Sequence, residues 1–419
     1  MSRTNQTGGR LDRLDMTDLD FFRRGFPHEV FTQLRREAPV WWQAPPTDDT
    51  TAVHEGFWVL SKYEDIQRAN RDTELFEAID GPQLQSAPEI RGKMLLSMDG
   101  QDHARLRKLI SAGFTPRMVS RLQDQSRAWA ASILDSAVER EQFNFVEAVA
   151  YPLPMHMIAD IMGVPLADRP WVFAKANDLM MCTDPEYPVP QEEQAKLQIE
   201  LFQYAQQLSA EKRRAPEDDI WTRLCAVEVD TDEGTPARLA SDELDLFFIL
   251  LVIAGSETTR NALSHGLLAL TEAPDQLTSL RRNAKIDPIA VDEIIRWSSP
   301  VSYFARRATR DTEIRGIRIA QGDRLALFYP SGNRDEEEFA DAFRFDVNRS
   351  PNYHLAFGGG GPHFCLGASL ARMNIAILFE ELLARTREIS IIGEPVYSVQ
   401  GIGNPISVSI KDLHVAVSS

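Results

Sequence analysis

Cysteine is scarce: the 419 residues include three, Cys182, Cys225 and Cys365. They are too few and too scattered for a disulfide framework, which suits a reducing compartment. Basic charge is short as well. The chain has 45 Lys and Arg against 62 Asp and Glu, a formal net charge of −17, which is the wrong sign for affinity built on phosphate contacts and disfavours a nucleic-acid partner. Long apolar runs are also missing. Residues 1–18 are polar, where a signal peptide needs roughly 7 to 15 consecutive apolar residues. The longest nearly uncharged run, 246–255, is well short of the roughly 18 residues that suggest a membrane span. The expectation is a cytoplasmic chain without a membrane anchor. No internal repeat is present, and low complexity is confined to 336–338 and 358–361, which excludes solenoids. With 43% hydrophobic and 26% charged residues, the composition is that of an ordinary globular protein.

Helical periodicity dominates the remainder. Apolar spacing and cap chemistry predict helices over 103–111, 123–138, 190–213, 241–271, 288–297 and 368–384. A short β-rich stretch at 57–61 precedes a helical pattern, and alternating apolar residues punctuated by Gly316 and Gly322 mark a second over 313–328. The stretches 81–94 and 184–190 read as long surface loops, which in compact domains often serve as lids or binding loops. No linker divides the chain. The expected fold is mainly α with small β-sheets (α+β), one large helical domain over 1–419.

The densest chemical signal is the run from Gly358 to Gly361 followed by Pro362, His363, Phe364, Cys365, Leu366 and Gly367, which leads directly into the amphipathic pattern starting at Ala368. A cysteine at the start of a helix meets unpaired N–H groups and the positive dipole end, which favour thiolate over thiol. Such a sulfur ligates a metal or attacks an electrophile. As a phosphate cradle the run fails, because Gly367 is followed by Ala368 and Ser369 with no lysine. A zinc site would have His354, His363 and Cys365 but no paired second cluster. A nucleophilic Cys365 would need a base, and His363, two positions earlier, is badly placed to act as one. The fourth reading is an axial thiolate to haem iron, with glycines letting the backbone pass close to a flat macrocycle and Gly367 letting the helix rest beside it. A buried cysteine beside a glycine turn is the plain alternative.

Inside the predicted helix 241–271 lies Ala254-Gly255-Ser256-Glu257-Thr258-Thr259. A mid-helix glycine costs roughly 1 kcal/mol relative to alanine, so Gly255 needs a reason, and a ligand approaching the backbone is one. The Thr258 hydroxyl can bond the Ala254 carbonyl one turn back, which tends to bend a helix and leave a groove for water. Glu257 supplies an acid that can relay protons, and Thr258 can hold the group that receives them. The plain alternative is an i,i+3 pair of Glu257 with Arg260. Two further spacings matter. Glu293 and Arg296 share a helix face and can form a hydrogen-bonded ion pair, and His103 and Arg107 place an imidazole and a guanidinium where both can grip carboxylates.

Taken in order along the chain, these segments resemble the cytochrome P450 family of haem-thiolate monooxygenases. Phe357, Gly361, His363, Cys365 and Gly367 match its cysteine loop, Glu293 and Arg296 its Glu-x-x-Arg pattern, and Phe345 to Arg349 its meander segment. The resemblance implies haem b with Cys365 as the iron ligand. It also implies that Ala254 and Gly255 lie at the haem face and that His103, Arg107, Arg306 and His363 bind the haem's two propionates. Glu293, Arg296 and Arg349 would support the cysteine loop from behind, while Glu257 and Thr258 would supply protons for dioxygen activation. The implied substrate is apolar: a terpenoid, steroid or branched lipid. Selectivity would rest on 81–98, 179–190, the helix face at Val252 and Ala254, and 301–304. Met98, Met180, Met181, Val252, Val301 and Phe304 are the pocket candidates, the methionines being equally readable as core. Electrons would come from a ferredoxin and ferredoxin reductase, docking on a basic patch of Arg105, Lys108, Arg117 and Arg372 in an otherwise acidic chain. A peroxide-using haem-thiolate enzyme and a non-catalytic haem sensor are the other classes, and neither requires the acid and alcohol pair. Phe357 stands eight residues before Cys365, one more than the family's commonest spacing. This longer loop, with Glu257 to Asn261, is similar to that of bacterial hydroxylases of sterols and methyl-branched lipids.

Overall fold

Cap chemistry sets the helix starts. Thr115 Oγ1 accepts from the Met118 amide at 3.4 Å, Asp219 Oδ1 from Thr222 at 2.6 Å, and Asp287 Oδ1 from Ile289 at 2.8 Å, each satisfying an amide that the helix itself leaves unpaired. The computed structural model describes residues 11, 14–45, 55–85, 88, 90–182, 184, 186, 189–230, 236–282, 285–401 and 405–418. The helices are α1 (His28–Glu37), α2 (Tyr63–Arg71), α3 (Gly100–Ala112), α4 (Pro116–Val138), α5 (Pro152–Met162), α6 (Arg169–Met181), α7 (Gln191–Arg214), α8 (Ile220–Ala226), α9 (Ser241–Glu272), α10 (Pro274–Arg281), α11 (Pro288–Ser298), α12 (Tyr329–Gly332) and α13 (Ala368–Arg385). The strands are β1 (Val40–Gln43), β2 (Phe57–Leu60), β3 (Phe76–Glu77), β4 (Gln142–Asn144), β5 (Glu228–Asp230), β6 (Pro236–Arg238), β7 (Tyr303–Ala308), β8 (Thr312–Ile314), β9 (Ile317–Ile319), β10 (Arg324–Phe328), β11 (Glu388–Ile391), β12 (Val396–Gln400), β13 (Ser407–Asp412) and β14 (His414–Ser418). All six predicted helices and both predicted β segments are present, and the architecture is the expected one, mainly α with small sheets. Most of residues 1–18 and parts of the two predicted loops (86, 87, 89, 185, 187 and 188) lie outside the described residues.

The core organises around α9. This helix is long and apolar enough by composition to cross a membrane, yet α5, α7, α11 and α13 pack on it, and its apolar residues belong to the main buried cluster. The larger sheet, in the order β1-β2-β10-β7-β3, forms a second body of apolar packing. Its central strand β10 is buried at every residue, as a strand covered on both faces must be. The pair β12 and β13 lies along α9 and a π-helical turn at Val146–Ala150. This arrangement brings a C-terminal strand against the middle of the chain.

Candidate functional site

The cysteine loop precedes α13. Gly358, Gly359, Gly360 and Gly361 all have positive φ, between 65° and 100°, a run that residues with a Cβ resist. A Cβ at Gly361 would meet Asn70 O at 2.8 Å and Arg71 Cα at 3.0 Å, and one at Gly359 would meet Leu355 Cδ2 at 2.6 Å. Gly359, Gly360 and Gly361 thus admit the end of α2 and neighbouring side chains. At Gly367, by contrast, the nearest atom to an added Cβ is Cys365 Sγ at 4.0 Å, so the open side of this glycine lies beside the sulfur. The Cys365 amide donates to Phe357 O at 3.0 Å and closes the loop. Solvent reaches Cys365, yet burial by the surrounding protein raises the thiol above its ordinary range, outweighing the Gly367 amide, Arg107 and Arg372, which pull it down. The helix start alone therefore does not make the free thiol acidic, and a bound cation would have to displace the proton.

Three of the four predicted carboxylate-binding groups meet on one side of this loop. The His103 and His363 rings lie 4.3 Å apart, His363 Nε2 is 2.8 Å from Asp99 Oδ1, and Arg107 Nη2 donates to Phe364 O at 2.6 Å. Burial, then the neighbouring His363 and Arg107, pushes His103 down to about 4. Arg306 on β7 is buried, with Nη2 donating to Asn70 Oδ1 at 3.0 Å. His103 Nε2 and Arg306 Nε are buried with no hydrogen-bond partner. Such orphans in native proteins call for an acceptor. An exposed cysteine on this loop, together with buried, under-satisfied His103 and Arg306, fits a haem with an iron ligand and groups to hold its propionates.

On α9 the predicted residues point in different directions. Thr258 Oγ1 donates to Ala254 O at 2.8 Å, as expected, and Ala254 and its neighbour Ile253 are exposed in the middle of an otherwise buried helix. Gly255 faces elsewhere: an added Cβ would lie 2.3 Å from Ile158 Cδ1 of α5. The missing side chain admits a neighbouring helix, and the expectation that it clears room for a ligand is corrected accordingly. Glu257 is buried and forms the i,i+3 ion pair with Arg260, and it also accepts from Ser409 Oγ of β13 at 2.5 Å. The alternative pairing with Arg260 is thus realised, and Ser409 is a partner that no spacing in the sequence reveals.

Behind the loop, Arg296 Nε and Nη2 grip the two Glu293 oxygens at 2.7 and 2.8 Å, and neither side chain is exposed. Arg349 Nε reaches the same carboxylate at 3.3 Å. The pocket candidates fall into separate packing regions. Met98 and Val252 are buried in the main cluster, Met180 is buried beside Ser256, and Val301 and Phe304 are half-buried against the sheet cluster. The basic patch is largely cancelled: Arg105 pairs with Glu243, Arg117 with Asp218 at 3.2 Å, and Arg372 with Asp292 at 2.6 Å. Counting sequence charge alone overstated it.

A mainly helical fold with an exposed cysteine at a helix start and buried, under-satisfied His103 and Arg306 is the arrangement a haem-thiolate protein requires. A sequence model of the family Cytochrome P450 matches residues 18–285 and 288–387, and the chain belongs to that family, which makes it a haem b monooxygenase. It is 36% identical over 389 residues to a steroid C26-monooxygenase of Rhodococcus jostii, covering 91% of this chain and 80% of that one. It is 39% identical over 375 residues to a methyl-branched lipid omega-hydroxylase of Mycobacterium bovis, covering 87% and 86%. Among solved structures, a Mycobacterium marinum cytochrome P450 in complex with pseudoionone superposes with a TM-score of 0.82 at 37% identity, covering 93% of this chain and 94% of that one.

Proposed function

We propose that this chain, as one catalytic domain in the cytoplasm, hydroxylates an apolar steroid, terpenoid or branched lipid. One oxygen atom of dioxygen enters a C–H bond and the other leaves as water, consuming two protons and two electrons from an external ferredoxin and its reductase. Bound haem supplies the oxygen chemistry and the electron path. Cys365 would ligate the iron through sulfur, with Phe357 and Gly367 beside it, and His103, Arg107, Arg306 and His363 would hold the propionates. Ala254 would face the haem. Thr258, one turn from Ala254 on α9, would hold the group that receives the protons Glu257 supplies. Met98, Met180, Val252, Val301 and Phe304 would shape the apolar space. The names of the steroid and branched-lipid relatives support this substrate class, and the presence of Glu257 and Thr258 favours dioxygen over peroxide as oxidant.

The observation that carries the reading is the exposed Cys365 on a loop whose His363 packs against His103, together with the buried, unpartnered His103 Nε2 and Arg306 Nε. Reduced protein under carbon monoxide should show the absorption band of a thiolate-ligated haem, and Cys365→Ala should abolish it. A band that survives Cys365→Ala, or pigment held through nitrogen, overturns the assignment. Spin-state titration with steroids, branched fatty acids and pseudoionone would then identify the substrate class.

A further inference from the structure

Glu257 does not face the Thr258 hydroxyl. Adjacent residues on a helix point about 100° apart, and the Glu257 carboxylate is held on the far side by two partners. Ser409 Oγ donates to Oε1 at 2.5 Å, and the Arg260 guanidinium pairs with Oε2. Ser409 is fully buried and is itself 2.9 Å from Ser407 Oγ, which reaches Pro300 O at 3.1 Å. Arg260 also lines a cleft of about 820 Å³ shared with Tyr151, Asp178, Lys411 and Asp412. The carboxylate therefore sits between a buried guanidinium at the cleft wall and a buried hydroxyl, and it must leave at least one of them before it can turn toward Thr258.

We propose that Ser409 is a positioning residue for proton delivery by Glu257, an inference that rests on the haem-thiolate reading above. Ser409 competes with Arg260 for the carboxylate. With the hydroxyl present, Arg260 holds a single oxygen and the carboxylate can swing free. Without it, both oxygens collapse onto the guanidinium in a bidentate pair, the strongest geometry available to that ion pair, and proton delivery slows. A slow proton supply diverts electrons: one NADH and one proton then reduce dioxygen to hydrogen peroxide, where a full supply lets two NADH and two protons carry it to two waters.

The test uses the haem-loaded enzyme with a heterologous ferredoxin, its reductase and NADH, and no added organic substrate. Ser409→Ala is expected to raise peroxide released per NADH several-fold, Ser409→Thr to restore the parent value, and Ser409→Ala to add nothing in a Glu257→Gln background. Thermal unfolding of the parent, Ser409→Ala, Glu257→Gln and the double variant gives a second reading: the losses in Tm from the two changes should be smaller together than their sum, as expected for residues in contact. An unchanged peroxide ratio in Ser409→Ala, or a rise of the same size in the Glu257→Gln background, overturns the inference. Failure of the parent protein to show a thiolate-haem carbon monoxide band would sink the functional reading instead, so the two failures are separable.

Discussion

Replacing Glu293 by Gln removes one charge from a fully enclosed group while nearly preserving its shape. In the parent, that carboxylate takes two bonds from Arg296, one from Arg349 Nε at 3.3 Å, one from Asn352 Nδ2 at 3.2 Å and one from the Asp346 amide at 2.9 Å. Arg296 and Arg349 spend their other donors on backbone carbonyls of Asn333, Ala340, Asp341, Ala342 and Arg344. The cluster thus ties α11 to the segment leading into the cysteine loop. Neutralising Glu293 leaves two guanidinium groups facing each other with no counter-charge in a site where neither Glu293 nor Arg296 touches solvent.

Breaking a buried pair by removing one partner costs about 3 to 5 kcal/mol. At roughly 2.1 cal/mol/K of unfolding entropy per residue, 419 residues give about 0.9 kcal/mol/K, so Tm should fall by about 3 to 6 °C. Circular dichroism melting measures the shift, and the haem-to-protein absorbance ratio reports whether the loop still holds its ligand. A Tm within about 1 °C of the parent, with full haem retention, would show that Glu293 is not the neutralising centre of this cluster.

Two further outcomes follow from packing and titration. Gly255→Ala should destabilise by about 1 to 3 kcal/mol, because the new Cβ would lie 2.3 Å from Ile158 Cδ1. In an Ile158→Ala background the same change should become stabilising by up to about 1 kcal/mol of helix preference, and urea melts giving equal effects in both backgrounds would refute the contact. His156 is stacked 3.8 Å from Trp129, and burial, then Arg169, pushes it down to about 4, while burial pushes His265 to about 4 as well. The unfolded chain binds these protons near the ordinary value of about 6.5. Unfolding free energy should therefore be complete above that pH and decline as pH falls from about 6.5 to about 4. His156→Phe, which keeps the stack, should make the decline shallower, and an unchanged pH slope would contradict the assignment.

What spacing can encode was legible in the sequence. The predicted helix 241–271 and observed Ser241–Glu272 differ by one residue, because a long apolar helix with acidic residues at its start is a local signal. The cysteine loop, Glu293 with Arg296, and Thr258 with Ala254 are likewise local. Helix α5 was missed because it is apolar nearly all round, with buried residues at most positions, so no polar face marks its period. Strand β14 is not legible from local pattern because one of its partners, β4, lies far earlier in the chain. The same distance hides the contacts that define the site's second side: Ser409 meets Glu257 across 152 positions, and Ile158 fills the space at Gly255. Charge counting failed at Arg105, Arg117 and Arg372 for a related reason, since their acidic partners come from other parts of the chain.

Within five residues, α9 serves three surroundings. Ala254 and Thr258, one turn apart, are joined by the 2.8 Å hydroxyl bond. Gly255 receives Ile158 from α5. Glu257 turns to Arg260 and β13, and on that side Asn261 Nδ2 adds bonds to Pro300 O at 3.2 Å and Val408 O at 3.3 Å. Because 3.6 residues complete a turn, neighbours in one short motif answer to different parts of the fold. Substitutions along Ala254 to Thr258 should therefore separate into effects on the accessible face, on helix packing and on the carboxylate anchor. The anchor is the one of the three that depends on β13, which ties the Glu257 carboxylate at the middle of α9 to residues near the end of the chain.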